Sequence, residues 1–157
     1  MTQPQIKNIF LILTSCMLFF VEIMLFALLR EYNFYLLLCF FIALLIQAPQ
    51  KRTLVAPLFL MCILSYLEMN IFGWSLVYIV PTILFANYLD QHLRVKVIIP
   101  YLLITFAVCL KMISAWYMHG ITVSMAHATQ IIVYNTFVIA LFVAIGSWLE
   151  KWFIKLE

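Results

Sequence analysis

Six long apolar runs, broken only by short polar stretches, set the pattern of the chain. They lie at about 9–29, 32–48, 54–68, 71–89, 97–117 and 130–148. A helix needs about 20 mostly apolar residues to cross the hydrocarbon core of a bilayer, so each run reads as a transmembrane span. The second is short and leans on Gln47 and Ala48 to reach that length. The pattern therefore predicts an all-α integral membrane protein, a single transmembrane domain over residues 1–157 built as a bundle of about six helices.

The stretch Leu54 to Leu89 reads as a membrane hairpin around which the other spans are arranged. Its tip carries Glu68, Met69 and Asn70, and Gly73 sits where the chain turns back. Lys51 and Arg52 precede it, Arg94 and Lys96 follow it, and the tip has no basic residue. Positive charge stays on the cytoplasmic side, so Glu68 is expected outside.

The remaining charges test the layout. Lys7, Lys51, Arg52, Arg94, Lys96, Lys151 and Lys155 fall in the interior set, Arg30 alone falls outside, and Lys111 lies within a span. This bias places both termini in the cytoplasm. Trp74, Trp116 and Tyr117 near the outer edge, with Trp148 and Trp152 near the inner one, fit interfacial aromatic belts. Met118 to Thr129 is the longest expected exterior connection, apolar enough to lie at the interface.

Composition agrees with this class and excludes others. The chain is 68% hydrophobic and 10% charged, whereas a soluble domain carries about 25% charge. A formal charge of +3 does not mark a nucleic-acid binder, because the basic residues stand in pairs at the ends of apolar runs. Cys16, Cys39, Cys62 and Cys109 all fall inside apolar runs and form no CxxC pair, so they read as packing residues. The first apolar run is too long for a signal-peptide core and reads as a retained span.

Three ionisable residues interrupt the spans, and each costs roughly 2.5 to 3.5 kcal/mol to insert without a partner. Counted from the starts of spans one, three and five, Glu22, Glu68 and Lys111 stand at one height, about 20 Å up each helix. An ion pair from Glu22 to Lys111 is geometrically possible, with Glu68 beside it if span three is adjacent. Such a level either fixes helix packing, lines a polar pocket open to the outside, or meets lipid headgroups.

Other chemistry finds little footing. His119 and His127 lack a carboxylate or cysteine nearby, so no metal site is expected. Asp90 is the only aspartate, which leaves no aspartate pair. No serine has a histidine at matching depth, and Gly73, Gly120 and Gly146 make no phosphate loop. No enzymatic activity and no cofactor are expected. Pro57, Pro81 and Pro100 bend spans and leave grooves between them. Ala140, Ala144 and Gly146 let another helix approach span six, within this chain or from a partner, and Asn87 and Asn135 are suited to hydrogen bonds between helices.

The run from Arg30 to Gly73, REYNFYLLLCFFIALLIQAPQKRTLVAPLFLMCILSYLEMNIFG, resembles the central part of the bacterial rod shape-determining protein MreD family. Arg30, Asn33, Pro49, Arg52 and Gly73 match the family outline, and Asn135 is similar to an asparagine of its last span. The family's span-three glycines correspond to larger residues near Pro57 and Met61. Its aspartate falls near Ser65, so that Glu68 replaces it only with a shift of one helical turn, and a proline often seen in the last span is missing. The resemblance implies a non-enzymatic scaffold of the cell-elongation machinery in the bacterial inner membrane. It would contact membrane lipid, bind a single-span partner like MreC, and act with the MreB filament and the peptidoglycan synthases. The competing expectation is the substrate-binding subunit of an energy-coupling type vitamin transporter, which has six spans and would use the polar level as its site.

Overall fold

The computed structural model of the chain describes residues 3–28, 35–47, 54–69, 71–93, 96–120 and 124–154. These form six helices: α1 Gln3–Leu28, α2 Leu36–Gln47, α3 Val55–Met69, α4 Leu76–His92, α5 Ile99–His119 and α6 Met125–Ile154. A short 3-10 turn, Lys96–Ile98, leads into α5. The described residues contain no strand.

Three of the helices, α1, α5 and α6, are long and apolar enough to cross a membrane. The other three are shorter, at 12, 15 and 17 residues. At 1.5 Å per residue they reach about 18 to 26 Å, against a hydrocarbon core of about 30 Å.

Burial on α1 is inverted relative to a water-soluble helix. Between Asn8 and Leu28 its fully buried residues are Ser15 and Glu22, while Leu13, Met17, Phe20 and Met24 are exposed. A helix in water would turn those faces the other way. With three membrane-length helices, this polar-in, apolar-out arrangement marks the chain as a membrane protein.

The centre of the fold is α2. Every residue from Leu37 to Leu44 is buried, and the helix lies against α1, α3, α5 and α6, with a lighter contact to α4. Its sequence, LLLCFFIALLIQ, is apolar on all sides, as a helix surrounded by other helices requires. The expected organising hairpin is therefore corrected. α3 packs on α1 and α2, α4 packs on α5, and α3 with α4 is not among the closely packed pairs. A hairpin places two helices side by side only when nothing seats better between them; here α2 and α5 take those positions.

Other boundaries also move. Residues 71–75 form a turn rather than the start of a span, with Gly73 at φ +79, a left-handed conformation that costs a side-chain-bearing residue about 1 to 2 kcal/mol. The helices reach into the expected long connection at 118–129: α5 runs to His119 and α6 begins at Met125. Gly120, at φ 64, ends α5 with its N–H donated to the Trp116 carbonyl at 2.9 Å, the left-handed cap common at helix ends. His127 then lies in the first turn of α6. Trp74 does not join an outer aromatic belt: it is 2% exposed and stands edge-on to Tyr78, ring centroids 5.8 Å apart. Trp116 and Tyr117 are exposed.

Candidate functional site: the capped end of the buried helix

The physical problem of this fold is the N-terminus of α2. The first N–H groups of any helix have no partner inside it, and here they start within the bundle, away from water. The residue immediately before Leu36 is Tyr35, whose side chain offers no capping oxygen of the Ser, Thr, Asn or Asp kind. Side chains from two other helices fill that role.

Glu22 of α1 accepts the Leu37 N–H at 2.8 Å through its Oε2. An oxygen acceptor at this position also meets the positive end of the α2 dipole. Asn135 of α6 accepts the Tyr35 N–H at 2.7 Å through Oδ1. Its amide donates in turn to the Ile131 carbonyl at 2.8 Å, and the Cys39 thiol lies 3.5 Å from Oδ1. Glu22 is 2% exposed and Asn135 fully buried.

Lys111 of α5 completes the cluster from the other side. Its Nζ pairs with Glu68 of α3 at 3.0 Å to Oε2 and 3.3 Å to Oε1. The same ammonium stands 3.8 Å from the centre of the Tyr35 ring and 5.9 Å from that of Tyr78. A cation held over an aromatic face is stabilised by about 0.5 to 2 kcal/mol, the larger figure applying where water is excluded. One residue, Tyr35, thus receives Asn135 at its backbone and Lys111 at its ring.

The structure brings Glu22, Glu68, Lys111 and Asn135 to one site, but with other partners than depth alone suggested. Lys111 forms its ion pair with Glu68, whereas Glu22 is engaged by the backbone of α2. Height along each helix could be counted from the sequence, while the choice of partner depends on which side chains face each other. The part played by Tyr35 and the Leu37 N–H was missed. Its signal is a short run apolar on every side, whose buried start needs acceptors from elsewhere.

The other candidate residues stand apart. Gly73 serves the turn before α4. Ala140 and Gly146 are half-buried and Ala144 is exposed. Asn87 is exposed on α4 rather than bridging two helices. Arg30, Asn33, Pro49 and Arg52 lie outside the described residues, as do the side chains of Trp148 and Trp152.

Hydroxyls near the cluster are committed locally. Ser15, Ser65, Thr82 and Ser114 each donate to a carbonyl three or four residues back in their own helices. His92 stacks on Tyr88 at the far end of α4, with ring centroids 4.2 Å apart. Among the described residues, no three histidine, cysteine or acidic side chains gather as a metal site would require. The arrangement can bind charge and hold helices in register. Comparison with protein-family models, with curated proteins and with solved structures returned no match.

Proposed function

We propose that this protein is a non-enzymatic membrane scaffold of the kind its resemblance to the MreD family implies. In this reading it is a six-span bundle of the bacterial inner membrane with both termini in the cytoplasm. It binds a single-span partner and supports the cell-elongation machinery. The short helices α2, α3 and α4 cross with the help of flanking residues and local thinning, which costs fractions of a kcal/mol per Å of mismatch.

One observation carries the choice. The ionisable side chains of the apolar helices are engaged by the chain itself, Glu22 by the α2 backbone and Lys111 by Glu68. Groups spent on internal bonds support a role in holding a shape to which other proteins attach. A substrate-binding subunit of a vitamin transporter would need such groups free to meet a ligand. Two positions of the resemblance also have architectural tasks, Gly73 in a left-handed turn and Asn135 at the α2 cap.

The test is depletion of the protein in its native cell, scored by cell shape, with purification of the tagged protein as a second arm. Rounding that the wild-type chain reverses, together with recovery of a single-span partner, is the expected result. Unchanged shape refutes the reading, and a vitamin found by mass spectrometry in the purified protein favours the transport alternative.

A further inference from the structure

α4 lies at the edge of the bundle. It packs on α5, with a lighter contact to α2. Its buried residues, Ile79, Thr82, Ala86 and Leu89 among them, gather on one side of a helix that turns about 100° per residue. The opposite side carries Val77, Val80, Leu84, Asn87 and Gln91, all exposed. Their spacings run three, four, three and four residues, the repeat by which one helix seats its side chains against another.

Asn87 decides what covers this face. Lipid chains offer no hydrogen bond, so an amide turned toward them is costly. An amide carries both donors and an acceptor, which makes a second Asn87 its natural complement. Two copies inserted with the same charge-directed orientation are related by a two-fold axis along the membrane normal. Their α4 helices then run parallel, and Asn87 meets Asn87 at one depth. An asparagine in such a seam fixes the register and the number of helices that join.

We infer that the outer face of α4 is the contact by which two copies of this chain pair in the membrane, with Asn87 bonded to Asn87 across the two-fold axis. The inference rests on the six-span part of the proposed function, in which α4 crosses the bilayer, and not on the scaffold role.

The pairing is tested on the full-length protein in membranes of its native cell. Leu84→Cys stands in the seam, and brief oxidation with copper phenanthroline joins it to its counterpart, giving an adduct of twice the 18.4 kDa chain. Phe137→Cys, on the exposed side of α6, stays at the background set by the four native cysteines. Adding Asn87→Leu to Leu84→Cys weakens pairing about threefold to thirtyfold, the loss of a hydrogen bond between membrane helices. Asn87→Gln, which retains an amide, restores most of the adduct. The inference is overturned if Leu84→Cys joins no better than Phe137→Cys, if the adduct has any other mass, if Asn87→Leu leaves the yield undiminished, or if Asn87→Gln joins as poorly as Asn87→Leu. Where Leu84→Cys fails to join, a membrane-impermeant maleimide separates the two readings: modification of that cysteine refutes the six-span layout as well, and protection leaves the layout standing with the pairing alone lost.

Discussion

Removing the Lys111 ammonium tests whether the buried pair holds α3 to α5. Lys111→Met keeps the length of the side chain and leaves the Glu68 carboxylate, 9% exposed, without its partner. Breaking a buried pair from one side costs about 3 to 5 kcal/mol, because the remaining charge is stranded. Loss of the contact to the Tyr35 ring at 3.8 Å adds about 0.5 to 2 kcal/mol. Glu68→Gln should cost somewhat less, since Lys111 retains the Tyr35 face. The double variant Glu68→Gln, Lys111→Met strands no charge and is expected to cost only about 1 to 2 kcal/mol, well below the sum of the singles. Reversible unfolding in mixed micelles, followed by circular dichroism, measures all four corners of this cycle. Additive losses, with the double variant as unstable as both singles together, would show that the pair at 3.0 Å contributes no coupling and would refute the assignment.

Three further outcomes follow from single residues. Asn135→Leu leaves the Tyr35 N–H without an acceptor and should cost about 1 to 3 kcal/mol in the same unfolding assay; a loss under about 0.5 kcal/mol would discount the cap. Gly73→Ala is expected to lose about 1 to 2 kcal/mol, from backbone strain at φ +79 rather than from crowding, because the added carbon would meet Leu76 at an ordinary 3.6 Å. Trp74→Phe should cost under about 1 kcal/mol although the ring is buried, because the indole N–H it removes has no hydrogen-bond partner, and such a donor is itself a burden of about 1 to 3 kcal/mol. A loss of 3 kcal/mol or more there would mean that the N–H is satisfied.

Some of the site could be read directly from residue positions. Glu22, Glu68 and Lys111 stand at similar counts along three apolar runs, and a rigid rise of 1.5 Å per residue turns such counts into a shared height. Asn135 was also recognisable as an amide suited to bonding between helices, and the structure spends it on Tyr35. Asn87, judged by the same rule, faces outward. Depth depends on distance along a helix, which the chain encodes locally. Facing depends on helix rotation and on neighbours distant in sequence.

The all-helical class and the membrane setting were determined by the sequence alone, because long apolar runs with few charges have no other stable home and the backbone in lipid must bond within each segment. Which helix sits in the middle was decided only by the tertiary structure. The run with the most evident signals, Leu54 to Leu89, has charges and turns that concern membrane edges, and those say nothing about lateral neighbours. α2 carries almost no polar mark of its own, and its place emerges from packing on α1, α3, α5 and α6 at once. The exchange of partners at the polar site has the same origin. Once α2 is central, its buried N–H groups compete for the nearest acceptors, so Glu22 goes to Leu37 and Lys111 is left to Glu68.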